Sequence, residues 1–252
     1  LINKKINVHI YYQNKTKELT PSRTIGISKN NLEFFNKEIQ KIPEQNCWKI
    51  KKIEIYSQKL KNENLLNFEN KKSDLFYIIK NDKLYELLRK NVFKNRFFKS
   101  TIIKKNFNEK QLNKKKYDLI INCEQNNFLT KKYFTKKIVK NYFNVAYTAI
   151  IKHEKTENYT AVQIFTKFGP IAFLPISKNE TSVVCSLDVK NRKFTDDDIL
   201  ELINKNNPKY QINNIFALNN FRLSSSNLRN YYHKNILAFG DLLHKIHPLA
   251  GQ

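Results

Sequence analysis

The sequence predicts an α/β fold in which a parallel-sheet domain is interleaved with an antiparallel β-sheet domain. Three observations favour this class. Residues 141–189 are rich in alternating apolar and β-branched residues, as antiparallel strands are. Two stretches, 31–42 and 82–92, carry apolar residues at helical spacing. The short apolar run 236–239 is ended by Gly240, which is typical of a buried strand in an open α/β sheet.

The composition is that of a folded protein. The chain has 252 residues, of which 40% are hydrophobic and 13% aromatic, enough to fill a core. It contains only 4 Gly and 6 Pro, so no flexible linker is evident. Met is absent even at position 1, the chain begins inside an apolar pattern, and it stops directly after Gly251 and Gln252. We therefore expect a fragment of a longer protein.

The charge is strongly positive, with a formal net charge of +24 at pH 7. Such a charge usually favours a polyanionic partner. The positive residues are mostly Lys rather than Arg and are scattered along the chain, whereas Arg is the residue suited to phosphate and base contacts. We therefore predict no nucleic-acid partner. An anionic membrane surface fits this charge better than nucleic acid does, although most of these lysines need be no more than solvated surface residues.

Cysteine usage and hydropathy exclude two classes. The three cysteines are far apart and show no C-x-x-C pattern, so neither a disulfide framework nor a zinc site is predicted. No run approaches the roughly 18 apolar residues of a transmembrane helix. The expected location is cytoplasmic, with peripheral contact at the inner membrane.

The N-terminal half alternates predicted strands and helices. Helical spacing predicts a core-facing helix over 31–42, which Pro43 ends. Asp82 is expected to cap a second helix over 82–92. The predicted strands of this half cover 5–12, 48–56, 74–79 and 97–103. The second of them has a register irregularity between Ile50 and Ile53.

The C-terminal half is mostly strands. The exception follows Thr195, where Asp196, Asp197 and Asp198 open a helix. Acidic residues in a first turn interact favourably with the helix dipole, so we interpret this cluster as capping rather than as metal ligands. The predicted strands cover 145–152, 159–168, 181–187 and 209–223, before the final strand at 236–239.

A polar turn follows the last strand. Gly240 permits a conformation that a side chain would obstruct, and Asp241 stands at the carboxyl end of the strand, where ligands bind in open α/β sheets. Asp241 could instead be a simple helix cap. His244 and His247 are three residues apart, but no Cys, Asp or Glu lies nearby to complete a zinc shell, which favours a structural His244 and no metal.

This turn resembles a known motif. The pattern of Gly240, Asp241, His244 and Pro248 is similar to the G-D-x-x-H-x-x-x-P motif of flavin-dependent aromatic hydroxylases of the para-hydroxybenzoate hydroxylase type. Residues 247–252, H-P-L-A-G-Q, resemble the subgroup that hydroxylates the ring of ubiquinone precursors. The resemblance implies that Asp241 holds the ribitol chain of FAD and that the loop after Pro248 lies against the isoalloxazine ring. The implied cofactor-binding residues here are Gly240, Asp241, His247, Pro248, Gly251 and Gln252.

Two further segments are similar to the same family near its cofactor. Residues 21–28 resemble the segment that places an arginine beside the flavin, which implies that Arg23 supplies positive potential there. Residues 117–127, Y-D-L-I-I-N-C-E-Q-N-N, resemble D-L-V-V-G-A-D-G-A-N-S, a motif linked to FAD and NAD(P)H. Glu124 stands at the second Asp of that motif and is an implied cofactor-binding residue. Gln125 stands at a Gly, where the family allows close backbone approach.

Two other positions bear on cofactor and substrate. Residues 165–176 resemble F-T-x-x-G-P-L-A-L-L-P-L, a strand over the flavin pocket, and their apolar character predicts a wall that excludes water. The strand 5–12 is similar to the family strand that ends in an acidic ribose-binding residue, but Tyr12 or Gln13 takes that place. The family's G-x-G-x-x-G would lie upstream of this strand.

The resemblance also implies a domain division and an activity. The FAD-binding domain would comprise 1–42, 81–140 and 224–252, with substrate-side strands in 43–80 and the substrate-domain sheet in 141–223. The implied activity is an FAD-dependent monooxygenase that hydroxylates a polyprenylated phenol in ubiquinone biosynthesis with NAD(P)H and O₂, in contact with a membrane or a ubiquinone-synthesis complex. No catalytic side chain is evident, and the fragment alone is expected to be inactive. The alternatives are a flavin-binding homologue with impaired turnover, or a basic module that binds lipid or nucleic acid.

Overall fold

The computed structural model describes residues 2–13, 22–58, 63–70, 73–103, 107–113 and 117–246. Its α-helices are α1 (Lys29–Phe34), α2 (Asn81–Phe93), α3 (Glu109–Asn113), α4 (Phe128–Tyr133) and α5 (Asp196–Lys205). Its strands are β1 (Val8–Tyr12), β2 (Thr24–Ser28), β3 (Cys47–Ile50), β4 (Lys52–Ser57), β5 (Glu63–Glu69), β6 (Phe76–Lys80), β7 (Phe98–Ile102), β8 (Ile120–Asn122), β9 (Lys137–His153), β10 (Thr160–Thr166), β11 (Gly169–Pro175), β12 (Glu180–Asp188), β13 (Ile212–Leu228), β14 (Tyr232–His233), β15 (Ile236–Ala238) and β16 (His244–Lys245).

The largest element is an eight-stranded sheet with the order β16-β13-β9-β12-β11-β10-β4-β5. Its neighbouring strands are antiparallel except for β10 and β4, which run parallel. The predicted antiparallel sheet is therefore confirmed. Strands β9 and β13 have 17 residues each, longer than predicted, because they pair with one another over nearly their whole length.

The main core lies on one face of this sheet. Alternate residues of β9 point to it, since side chains of a strand alternate between faces. Helix α5 covers that face with Ile199 and Ile203, which are 0% and 1% exposed. Each such side chain contributes roughly 1.5–3 kcal/mol of burial free energy. The core residues contributed by β9 and its neighbours include Val145, Tyr147, Ala149, Ile151, Ile171, Phe173, Val183 and Leu187.

The start of α5 confirms the capping interpretation of the acidic cluster. The side chain of Thr195 accepts a hydrogen bond from the backbone N–H of Asp198, and the Asp198 carboxylate accepts one from the backbone N–H of Thr195 at 2.8 Å. This reciprocal capping box pairs two backbone donors that would otherwise lack partners.

The predicted parallel strands form two separate pairs. Strand β1 pairs with β7, and β8 pairs with β15, whose other edge is joined by the antiparallel β14. A second core lies around β8, β15 and α4. The α/β class is therefore confirmed. The buried members of this second core are Leu112, Leu129, Phe134, Leu228, Ile236, Ala238 and Leu242.

The stretch predicted as a strand over 48–56, with a register irregularity between Ile50 and Ile53, forms two strands in different sheets. Strand β3 ends at Ile50 and belongs to the three-stranded sheet β2-β6-β3, whereas β4 begins at Lys52 and belongs to the large sheet. The main chain leaves one sheet for the other at Lys51, whose N–H bonds to the carbonyl of Tyr159 at 2.9 Å. Ile50 is fully buried between the two sheets, together with Ile78 and Ala161.

The first helix also differs from its prediction over 31–42. It begins earlier, because the Ser28 hydroxyl accepts from the N–H of Asn31 and caps α1. After Phe34 the chain continues as a π-helix, Phe35–Ile39, and then leaves the helix. The wider turn breaks the 3.6-residue period, so Ile39 is 43% exposed rather than facing the core.

The predicted cap of α2 is wrong as well. Lys80 is the N-cap residue, and Asp82 lies inside the first turn, where its carboxylate accepts from the N–H of Lys83. The carbonyl of Arg23 accepts the N–H of Asn81 at 3.0 Å. A backbone contact from the residue before β2 thus satisfies a helix-start donor that sequence reasoning assigned to a side chain. Among the helices described, none combines the length and apolar character needed to cross a membrane.

Candidate functional site

The two motif segments meet because β8 and β15 are parallel neighbours. Their register pairs Ile236 with Ile120 and Ala238 with Asn122. The ladder is extended by the N–H of Phe239, which donates to the carbonyl of Asn122 at 2.9 Å. Carboxyl ends of parallel strands open at the same edge of a sheet, where ligands bind in this class of fold. Glu124 and Gly240, which follow these strands, therefore lie at one edge.

The turn after β15 has the conformation that its glycine predicts. Gly240 has a φ of +64°, in the left-handed region, and it opens a 3₁₀ turn over Gly240–Leu242. Leu242 is buried in the second core and anchors this turn, while Asp241 and Phe239 are exposed. The N-cap residue of the turn is Phe239, so Asp241 does not act as its cap. The Asp241 carboxylate is accessible to a hydroxyl donor. The exposed Phe239 departs from the buried run predicted over 236–239.

The segment after β8 is tied to this turn by a side chain. The amide of Gln125 donates through Nε2 to the main-chain carbonyl of Asp241 at 3.1 Å. Glu124 and Gln125 are both exposed. The structure thus brings Glu124, Gly240 and Asp241 to one place.

A buried amide network shapes the same segment. Asn122 is 4% exposed, and its Oδ1 accepts from Nδ2 of Asn127 at 2.6 Å while its Nδ2 donates to the Thr130 hydroxyl at 2.9 Å. Asn127 is the N-cap of α4 and accepts from the N–H of Thr130. The Thr130 hydroxyl donates to the carbonyl of Glu124. Side-chain hydrogen bonds therefore hold the segment between β8 and α4 at Glu124 and at Asn127.

A hydrogen-bonded aromatic group joins β1 to the segment before β8. The hydroxyls of Tyr11 and Tyr117 share a hydrogen bond at 2.7 Å, and the Tyr117 hydroxyl also bonds Nδ1 of His9 at 2.9 Å. His9 in turn bonds the Thr101 hydroxyl on β7 at 2.7 Å. Burial, together with the hydrogen bond from Tyr11, raises the pKa of Tyr117 above its ordinary value. The end of β1 is thereby joined by hydrogen bonds to the segment before β8.

Arg23 lies on the large sheet. Its guanidinium stacks over the ring of Phe221 on β13, with 5.4 Å between Cζ and the ring centroid, and Arg23 itself is exposed. The preceding Ser22 is fully buried and shares a hydrogen bond with the Thr148 hydroxyl on β9 at 2.9 Å. Ser182 on β12 donates to the carbonyl of Ser22. A buried hydroxyl cluster therefore fixes Arg23 on the face of the sheet opposite α5.

The apolar wall predicted from 165–176 is corrected in part. Strand β11 is present, but its alternation sends Ile171 and Phe173 into the core under α5. Leu174 packs with Ile50 and Ile78. These residues are core rather than the lining of an open pocket, because each contributes its side chain to packing between layers.

The structure does not describe the other four predicted site residues, and two cavities are lined by residues outside this edge. His247, Pro248, Gly251 and Gln252 lie outside the described residues. One cavity, of about 210 Å³, is lined by His153, Glu154, Lys155, Thr156, Lys209, Tyr210 and Gln211. Another, of about 320 Å³, is lined by Gln58, Lys167, Phe168, Leu202 and Lys205.

Sequence reasoning missed the residues that build this edge. Gln125 was read only as a departure from glycine, and no role was predicted for Asn122 or Thr130. One signal was available: Asn122 is the first polar residue after the apolar run 119–121, at the carboxyl end of a strand. Its burial and its partners depend on α4 folding back over the strand, which the local pattern does not specify.

Comparison with known proteins shows a shared fold. The tetrameric form of 2-methyl-3-hydroxypyridine-5-carboxylic acid oxygenase superimposes with a TM-score of 0.69 at 11% identity, covering 97% of this chain and 71% of that one. CtdE in complex with FAD and a substrate gives 0.69 at 10% identity, covering 98% and 71%. The p-nitrophenol 4-monooxygenase PnpA from Pseudomonas putida gives 0.68 at 7% identity, covering 96% and 68%.

No family model matches the sequence, and no curated protein matches it significantly. The likeness to these solved structures extends over nearly the whole chain. At such low identities it is the fold that is shared.

Proposed function

We propose that the protein is an FAD-dependent aromatic-ring monooxygenase that hydroxylates a polyprenylated phenol, as in ubiquinone biosynthesis, with NAD(P)H as reductant and O₂ as the source of oxygen. One observation carries the proposal: the Gly240–Asp241 turn and the Glu124–Gln125 segment adjoin at the carboxyl ends of adjacent parallel strands. This occurs in a fold shared with an oxygenase, a monooxygenase and an FAD complex.

The described residues fit the sugar portion of FAD. Asp241 presents an exposed carboxylate beside a glycine with a positive φ, and a carboxylate is the acceptor that ribitol hydroxyls require. Among the described residues, none would lie within 4 Å of a Cβ added at Gly240, so these residues leave the space over the turn open. FAD, when bound, supplies the redox chemistry that activates O₂, which no protein side chain provides. The Asp241 carboxylate would accept hydrogen bonds from the ribitol hydroxyls. Glu124 would bind a polar group of the cofactor at the same edge.

Arg23 would contribute electrostatically. Its guanidinium always carries a positive charge, and it is fixed on the large sheet by Ser22 and by stacking on Phe221. A fixed positive charge stabilises negative charge that develops nearby during a reaction. The net charge of +24 would also attract the phosphates of a nicotinamide cofactor and an anionic membrane surface, which would give a prenylated substrate a route to the protein.

The binding half of the proposal is tested by Asp241→Ala in protein expressed from its complete gene. Charge-assisted hydrogen bonds contribute about 1.5–3 kcal/mol, so FAD affinity should fall roughly tenfold to hundredfold. Asp197→Ala, an exposed Asp on α5, is the matched control and should bind FAD like the unaltered protein. Affinity is measured by quenching of flavin fluorescence. Unchanged affinity in Asp241→Ala would contradict the assigned role.

A second candidate is a flavoprotein without turnover, favoured by Gln125 at a position where the family motif has glycine. O₂ consumption separates the two. The monooxygenase should consume O₂ with NADH or NADPH faster when a prenylated phenol is added. A yellow protein that binds FAD but shows no phenol-stimulated consumption would support the impaired homologue instead.

A further inference from the structure

We propose that Gln125 and Asn122 are positioning residues that hold the Gly240–Asp241 turn in the geometry needed for the flavin. The inference rests on the proposed function. Both residues stand at glycine positions of the D-L-V-V-G-A-D-G-A-N-S motif that 117–127 resemble. The Gln125 amide donates to the Asp241 carbonyl and so joins the two motif segments, whereas the Asn122 amide donates to Thr130 and braces the segment after β8.

The contact from Gln125 acts on the backbone of Asp241. Its Nε2 donates to the carbonyl of Asp241, not to the carboxylate, so the carboxylate stays exposed and available to a ligand. A bond to this carbonyl orients the peptide after Asp241 and therefore fixes the direction in which its side chain leaves the main chain. The residue before it, Gly240, has a φ of +64° and no side chain to limit its motion. This hydrogen bond from Gln125 to the Asp241 carbonyl, here called the latch, therefore restricts the turn directly after its flexible glycine.

Asn122 braces the two segments that the latch joins. Its main-chain carbonyl accepts the N–H of Phe239, the residue before Gly240, and its buried side chain ties the chain before Gln125 to Thr130 of α4. The Thr130 hydroxyl then holds the carbonyl of Glu124. Asn122 therefore contacts the chain on both sides of the latch, through its main-chain carbonyl on one side and its side chain on the other.

If Gln125 preorganises the turn, its replacement should weaken FAD binding rather than destabilise the fold. Gln125 is exposed at the surface, so its replacement removes little packing. Without the latch, FAD would have to order the turn on binding, and the ordering entropy would appear as weaker affinity. One neutral hydrogen bond corresponds to about a fivefold change in affinity.

The test compares two changes at Gln125 with one at its neighbour. Gln125→Met keeps the length of the side chain but removes the N–H donor, and Gln125→Ala removes both. Asn126→Ala deletes an exposed amide from the same turn and is the matched control. We expect both Gln125 variants to bind FAD about fivefold more weakly than the unaltered protein, with melting temperatures within about 1 °C of it, while Asn126→Ala changes neither quantity.

The role of Asn122 is tested by a double-mutant cycle with Gln125. Asn122→Ala should lower both FAD affinity and the melting temperature, because it leaves buried partners unpaired. In that background Gln125→Ala should have a smaller effect on FAD affinity than in the unaltered protein, since residues of one network are not additive.

The outcomes separate this inference from the function on which it rests. Unaltered protein that binds FAD, together with Gln125 variants that bind it equally well, would overturn the latch and leave the proposed function standing. A drop in melting temperature that accounts for the whole loss of affinity would also overturn it. Unaltered protein that fails to bind FAD would refute both.

Discussion

The substitution Gly169→Ala should be among the most damaging single-methyl additions to this chain. Gly169 follows the two-residue connection between β10 and β11 and has a φ of +135°. A Cβ built there would lie 2.1 Å from the main-chain oxygen of Ser186 on the neighbouring β12. The obstacle is backbone in the middle of a sheet, which no side-chain rotation relieves. Either β11 or β12 must move.

The magnitude follows from two costs. A side chain at this φ costs about 1–3 kcal/mol in backbone strain, and forcing an extra methyl into a packed position costs about 1–3 kcal/mol more. We expect the free energy of unfolding to fall by about 4 kcal/mol. For a chain of 252 residues this corresponds to a decrease in melting temperature of about 10 °C.

The other glycines provide the controls. Gly240→Ala has open space around the added Cβ but a φ of +64°, so only the strain of about 1 kcal/mol applies. Gly26→Ala meets only the ring of Phe76 at 3.7 Å, an ordinary contact, and should change stability by less than about 0.5 kcal/mol. Urea unfolding followed by circular dichroism measures all three. If Gly169→Ala were no more destabilised than Gly240→Ala, the steric reasoning would be refuted.

Two further predictions concern buried polarity and pH. Asn158→Ala should reduce the free energy of unfolding by about 2–4 kcal/mol, because it leaves buried hydrogen-bonding partners unpaired. Asn158 is 0% exposed, accepts a hydrogen bond from the Tyr210 hydroxyl at 2.8 Å and donates one to the carbonyl of Ser177 at 2.9 Å. Urea unfolding measures this loss of stability. Hydrogen bonds from the Thr195 N–H and hydroxyl hold the pKa of Asp198 below its ordinary value. Its contribution to stability is therefore present above the unfolded-state pKa, about 3.9, and is lost as pH falls through the lower folded-state pKa. Asp198→Asn should flatten the loss of stability across that acid range, as measured by melting temperature against pH.

Each of these two predictions has a control variant. Asn126→Ala removes an exposed amide and should leave unfolding in urea unchanged. Asp197→Asn alters a carboxylate that lies in the same first turn of α5 but outside the capping box. Its melting temperature should therefore fall with decreasing pH about as steeply as that of the unaltered protein. Equal slopes for the Asp197 and Asp198 variants, or an undiminished stability of Asn158→Ala, would contradict the corresponding argument.

Local patterns in the sequence determined several elements. The α/β class, the antiparallel region and the helix after Thr195 were predicted from alternation, helical spacing and capping chemistry, all of which act within a few residues. The Gly240 turn followed from the same local reasoning, because a positive φ is a property of one residue and its immediate chain. The domain limits and the cofactor roles of Arg23 and Glu124 stay predictions.

Tertiary structure decided where those elements go. The stretch 48–56 divides between two sheets at Lys51, and Asn81 is capped by the carbonyl of Arg23, since both outcomes depend on partners distant in the chain. Gln125 reaches Asp241 only because β8 and β15 pair in parallel across a separation of 116 residues. The sequence alone therefore specified the strand alternation, the turn at Gly240 and the capped helix after Thr195. Which polar side chains meet at the edge of the sheet was determined by packing, because that depends on the free energy of the whole fold.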